Sequence, residues 1–224
     1  MHNVTFVDIG SGYGSLLTLL PSIFDAPIGA PSAVRPGLYV PVDKSPRHLR
    51  AAVRRSGDLG IPAKPFLYDV DSGRGTIPDA AIGDFVVLAY VLAHVRSVES
   101  VLQLAARVAK SDSVITIVDT DYASAVADGD EALIRTTAAI RRQLRHTGFA
   151  DLDAQAASVG LRRTSGLFDG VEHFGPRERS AKRDAFGFIA NFDESNAARA
   201  AWEEIRGGTL KLRQIRRAYV NSDE

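Results

Sequence analysis

The chain has no cysteine and only one methionine and one tryptophan in 224 residues. Without a thiol there is no disulfide, no zinc–thiolate site and no cysteine nucleophile. Net charge is missing too, because 27 lysines and arginines are matched by 27 aspartates and glutamates. A neutral chain lacks the basic footprint of a protein whose main partner is nucleic acid, so nucleic acid is not an expected partner. The pairs Arg54-Arg55, Arg141-Arg142, Arg162-Arg163 and Arg216-Arg217 read as solvated faces. No apolar run approaches the ~20 residues needed to span a bilayer, and the first residues enter a strand pattern with no signal-peptide profile. A cytoplasmic protein with no membrane partner is the expectation. His, Asp and Glu nowhere cluster at metal-ligand spacing, so no metal is expected.

What is present describes an ordinary globular chain. Apolar residues make up 45% and charged residues 24%, enough to bury a core in one domain spanning residues 1–224. Val4–Ile9, Leu38–Val42, Lys64–Tyr68, Asp84–Tyr90 and Ser113–Asp119 read as strands. Between them Ser45-Pro46 opens a helix that closes at Gly57, Ser45 capping and Pro46 supplying the φ of the first turn. Val98, Val101, Leu102, Ala105 and Ala109 recur at helical spacing. Such alternation implies a parallel, doubly wound α/β sheet. Beyond it, helices are expected at Asp130–His146, Asp151–Val159 and Ser195–Arg206, with strands near Leu161–Leu167 and Ala185–Phe192 and a basic tail after Gly207-Gly208.

The first strand runs into Asp8-Ile9-Gly10-Ser11-Gly12-Tyr13-Gly14. Glycines at alternate positions let the backbone turn sharply and approach a ligand, and a helix expected over Gly14–Leu20 would present its N-terminus there. A dinucleotide fingerprint would need its third glycine where Ser15 stands. Four of the five strands end on aspartate: Asp8, Asp43, Asp69 and Asp119. In a doubly wound sheet these ends line the ligand crevice. A carboxylate after the second strand can accept both hydroxyl hydrogens of an adenosine ribose, and Asp43 is so placed. Asp69, or Asp71 two residues on, can accept from an adenine amino group.

The D-x-G-x-G-x-G run resembles the first motif of the class I S-adenosylmethionine (SAM) dependent methyltransferases. Ile77-Pro78-Asp79 through Gly83-Asp84-Phe85-Val86-Val87 is similar to the LP…FD-x-V region of the ubiquinone/menaquinone-biosynthesis type. Leu92-Ala93-His94-Val95 and Leu104-Ala105-Ala106-Arg107-Val108-Ala109-Lys110 resemble its L-x-H and R-V-L-K stretches. The agreements span residues 4–122 in order. The resemblance implies a Rossmann-like, mostly parallel seven-stranded sheet with an antiparallel final strand, and SAM as cofactor. It implies Asp8, Gly10, Ser11, Gly12, Tyr13 and Gly14 at the methionine part, Asp43 with Lys44 at the ribose, Asp69 and Val70 at the adenine, and Ala89 and Tyr90 beside the sulfonium. Departures are Ser111-Asp112-Ser113 where the family has Pro-Gly-Gly, a long segment over residues 21–37, and a first strand not preceded by covering helices.

Methyl transfer is an in-line displacement helped by positioning, desolvation and, for a protic nucleophile, a base. His94 is the candidate base, or else packs under the following helix. Asp119, Asp121 and Tyr122 orient an amine or hydroxyl, or else cap the next helix. His146, Phe149, His173 and Phe174 read as surface or packing residues rather than a lid. Leu88-Ala89-Tyr90-Val91 is not the N/D-P-P-Y/F motif of base or glutamine amino methylation, and the absent cysteine excludes cytosine-C5 methylation. The expected enzyme transfers methyl to an O, N or C nucleophile of a small metabolite, with residues 120–149 as a substrate-covering insertion. Exposed sheet edges leave room for a homodimer. A SAM-binding scaffold without transfer is the alternative; an NAD(P)-dependent oxidoreductase is disfavoured by Ser15.

Overall fold

The computed structural model describes residues 3–18, 35–77, 82–143, 151–164, 170–174 and 209–222. It divides into two units: residues 1–118, 153–169 and 216–224, and residues 119–152 with 170–215.

The first unit begins with β1 (Asn3–Ile9), which passes through the glycine turn into a single 3-10 turn, Ser15–Thr18. β2 (Arg35–Asp43) precedes helix α1 (Pro46–Asp58). Ser45 caps α1 by accepting from the His48 N–H, and Pro46 takes the first helical position as its sequence implies. β3 (Phe66–Asp69), the two-residue β4 (Arg74–Gly75) and β5 (Gly83–Ala89) follow. A 3-10 turn at Leu92–His94 then leads to α2 (Val98–Val108), capped by Ser97, and β6 (Ala109–Asp128). In the second unit are the outer part of β6, α3 (Glu131–Gln143) and β8 (Gly170–Phe174), which pairs with β9 (Thr209–Asn221). The segment from Asp153 brings α4 (Leu152–Ser158) and β7 (Leu161–Thr164) into the first unit, where β7 pairs antiparallel with the end of β9.

The strand order is β4-β3-β2-β1-β5-β6-β9-β7. β1 pairs parallel with β2 and β5, β2 with β3, and β5 with β6. Among the described residues nine strands form the sheet where seven were expected. The seven are β3, β2, β1, β5, β6, β9 and β7, while β4 is a short antiparallel return on β3 and β8 a branch on β9. Both faces of the central strands are buried: Phe6, Tyr39 and Val87 on one, Val7, Val40 and Val86 on the other, as strand alternation requires. Ala52 of α1 and Leu17 pack into the first cluster.

Three expectations are corrected. The glycine turn is followed, among the described residues, by a 3-10 turn at Ser15–Thr18 rather than a helix from Gly14. β6 does not end at Asp119: residues 119–128 contain no glycine or proline, and Gly129, at φ 100°, is where the strand stops. Asp119 and Tyr122 therefore lie within the strand and not on the loop after it. The supposed basic tail is β9, whose Ile215, Ala218 and Tyr219 are buried, with Arg216 and Arg217 half-buried between them. Of the loop expected over residues 21–37, residues 35–37 belong instead to β2; the rest of it, the strand over 185–192, the helix over 195–206 and residues His146 and Phe149 lie outside the described residues.

Candidate functional site

The carboxyl ends of β1, β2, β3 and β5 are brought together by the parallel register, which sets Ile9 beside Val42 and Leu88. The glycine turn is fastened to its neighbour strand: the N–H groups of Gly10 and Ser11 both donate to the Val42 carbonyl, at 2.8 and 3.2 Å. Gly10 is required on two counts, a φ of 71° and a Cβ that would fall 1.7 Å from Val91 Cγ2. Gly12, at φ 51°, is different, since a Cβ there would meet nothing within 4 Å. Its backbone borders open space, the property a ligand-cradling turn needs. Gly14 lies against Ala52 of α1.

Asp43 closes β2 with its carboxylate directed at this turn. Oδ2 accepts from the Gly12 N–H at 2.8 Å, and Oδ1 accepts from the Ser45 N–H at 2.8 Å. His48 Nδ1 is 3.2 Å from Oδ1; a carboxylate is acceptor-only, so the imidazole donates. A carboxylate has about four lone-pair positions; three are engaged, leaving one on Oδ2. The His48 ring lies 4.5 Å from the Tyr13 ring, and the Arg47 guanidinium stands 6.0 Å over Tyr13. Tyr13 is itself exposed.

Asp8 is buried beneath the turn and accepts from Tyr39 Oη at 2.7 Å. Burial pushes its carboxyl up to about 7; the Tyr39 hydrogen bond works the other way, and the charge of Asp43 adds to the rise. Burial and the neighbouring Asp8 also hold the Tyr39 phenol far above its ordinary range. The Ser11 hydroxyl tempers that shift from nearby, yet it is buried and meets no partner at hydrogen-bonding geometry.

Asp69 at the end of β3 is engaged within its own loop, accepting from the Asp71 N–H at 3.1 Å and the Ser72 hydroxyl at 2.7 Å. These bonds, Ser72 foremost, hold its carboxyl below the usual range. Val70 is the turn residue that follows. Asp71 reaches further: Oδ1 accepts from the Arg96 N–H at 2.6 Å, and Oδ2 lies 4.0 Å from Lys44 Nζ. The loop after β3 is thereby tied to the segment after the second 3-10 turn.

Ala89 ends β5. Tyr90 follows in the left-handed region at φ 57°, exposed, its N–H donating to the Val118 carbonyl at 2.8 Å. A tyrosine held at positive φ is strained, and such strain collects at functional sites. His94 ends the 3-10 turn four residues after Tyr90 and is exposed. Lost solvation around the ring, then the charge of Lys44, hold its imidazole below the ordinary value. Asp119 lies in the second unit and is fully buried, and Tyr122 lies further along the same strand.

Two contributors were not legible as site residues. Tyr39 sits opposite Phe6 in the β1–β2 register, so alternation puts it on the face of Asp8. His48 occupies the third helical position, where a capping box carries Glu or Gln reaching back; Ser45-Pro46-Arg47-His48 was the available signal.

An adenosyl sulfonium amino acid can be tested against these residues. The bare backbone at Gly12, the unpartnered Ser11 hydroxyl and the remaining Oδ2 position of Asp43 offer room, a donor and an acceptor. They fit such a group.

No protein-family model matches the chain, and no curated protein matches it. Solved structures do. A candidate methyltransferase from Bacillus halodurans aligns with a TM-score of 0.63 at 12% identity, over 100% of this chain and 94% of that one. The YcgJ protein from Bacillus subtilis gives 0.58 at 16% identity, over 99% and 93%. Phosphoethanolamine N-methyltransferase 2 from Haemonchus contortus, in complex with phosphomonomethylethanolamine and S-adenosylhomocysteine, gives 0.56 at 18% identity over 99% of this chain and 49% of that one. The chain has the Rossmann-like fold of the class I SAM-dependent methyltransferases.

Proposed function

We propose that the chain binds SAM at the carboxyl edge of β1, β2 and β5 and transfers its methyl group to a nucleophile of a small molecule. The observation that carries this is the tie between the glycine turn and Asp43: the backbone at Gly12 is both bare on one side and held by the carboxylate on the other. Gly10, Ser11, Gly12, Tyr13 and Gly14 take the methionine part, with Asp8 supporting the turn from below. Asp43 accepts from a ribose hydroxyl, Lys44 flanks it, and Asp69, Val70 and Asp71 border the adenine. Ala89 and Tyr90 border the sulfonium.

When bound, SAM supplies an electrophilic methyl carbon, and the protein's task is alignment and exclusion of water. The tied ends of β2 and β3 fix the adenosine side. His94, held in its neutral form at pH 7 by its surroundings, is available to take the proton of a hydroxyl or amine acceptor. The product expected is S-adenosylhomocysteine. Calorimetric titration with S-adenosylhomocysteine, followed by turnover assays of metabolite extracts with methyl-labelled SAM, tests both halves: absence of cofactor binding removes the reading, and binding without labelled product removes the transfer.

A further inference from the structure

His48 stands outside every motif that the resemblance covers, yet it makes the third bond to the Asp43 carboxylate. Ser45 caps α1 through the His48 N–H at 3.3 Å, which fixes the backbone of His48 one turn away from Asp43. Its ring then reaches back, Nδ1 to Oδ1 at 3.2 Å, and presents a face to Tyr13 at 4.5 Å. The ring is about one-third exposed while the carboxylate is 9% exposed, so His48 closes the solvent side of an otherwise buried acid. Two donors on Oδ1 and one on Oδ2 leave the remaining lone pair on the oxygen that also holds the glycine turn.

We propose that His48 is a positioning residue for cofactor binding: by occupying Asp43 Oδ1 and bracing Tyr13, it fixes the carboxylate plane so that Oδ2 serves Gly12 and one ribose hydroxyl together. This rests on the SAM reading given above. Without the imidazole, the carboxylate keeps its two backbone donors but can rotate about its last bond, and Tyr13 loses its support. His48 touches neither the methyl carbon nor the sulfur; it acts through Asp43.

The test is a titration with S-adenosylhomocysteine of the full chain and four variants: His48→Phe, His48→Asn, Asp43→Asn and the double variant Asp43→Asn/His48→Phe. Phenylalanine keeps a ring against Tyr13 and removes the donor, whereas asparagine restores an N–H near the Nδ1 position. The expected result is a loss of about 10-fold for His48→Phe, the scale of one hydrogen bond to a charged acceptor, and recovery of most of it in His48→Asn. In the Asp43→Asn background, His48→Phe costs less than about 2-fold more, because coupled residues are not additive. Affinity unchanged in His48→Phe overturns the proposal. So does an equal loss in both single His48 variants, or an undiminished loss in the Asp43→Asn background. His48→Ala replaces His48→Phe if the latter does not fold. A wild-type chain that binds no S-adenosylhomocysteine overturns the cofactor reading itself, an outcome distinct from a wild type that binds while the His48 pattern fails.

Discussion

Tyr39 donates its phenolic hydrogen to Asp8 Oδ2 across 2.7 Å, both groups buried on one face of the β1–β2 pair. The carboxyl is pushed up to about 7, by burial first, so the folded chain holds this proton more tightly than the unfolded chain does. Between the ordinary carboxylate range and pH 7 the native state is therefore the more protonated one, and stability falls as pH rises through that window. Above it the contribution is flat. Asp8→Asn removes the titration. Between pH 5 and pH 8 the stability difference should move in the variant's favour by about 2–3 kcal/mol, read from urea unfolding at each pH. Parallel pH profiles for the two proteins would mean that Asp8 is not buried as described.

The glycines of the turn separate fold from function. Gly10→Ala drives a Cβ into Val91 Cγ2 and forces an alanine to positive φ, so it should cost several kcal/mol and reduce the folded yield. Gly12→Ala meets no atom and carries only the left-handed strain of about 1–2 kcal/mol. Its Cβ enters the space proposed for the cofactor, so affinity for S-adenosylhomocysteine should drop at least about 10-fold while the variant stays folded. Thermal melts paired with calorimetry distinguish the two, and equal effects on both readouts would contradict the assignment.

Much of this was written locally. The β1 turn, the Ser45-Pro46 helix start and the aspartates at the ends of β1, β2 and β3 follow from glycine, capping and strand rules that act within a few residues. What failed did so at longer range. β9 looks like a basic tail because Lys211, Arg213, Arg216 and Arg217 crowd its sequence, and only pairing with β7 reveals the strand. β6 seemed to end at Asp119 by analogy with the other strands, although the first breaker is Gly129. The occupied lone pairs of Asp43 were also invisible, because the sequence shows neither the Gly12 N–H nor the His48 ring turned towards it.

Lys44 should control the ionisation of His94. The imidazole is held below its ordinary value by lost solvation and then by the Lys44 charge. Lys44→Met should therefore raise the His94 pKa, towards but not beyond the unperturbed range, because the larger cause remains. Imidazole resonances followed by NMR from pH 5 to pH 8 measure this. A fall, or no movement, would place Lys44 away from the ring.

Asp43→Ala deletes the acceptor for two backbone N–H groups and the proposed ribose contact. Stability should fall by about 1–3 kcal/mol, and affinity for S-adenosylhomocysteine by about 30-fold or more. A folded Asp43→Ala protein that binds as the wild type does would remove Asp43 from the site.

The most direct measurement is isothermal titration of the wild-type chain with S-adenosylhomocysteine, with NADH as the control ligand. Micromolar binding to the first and none to the second is the outcome that a SAM site on this glycine turn requires. Binding of NADH alone, or of neither, would contradict it.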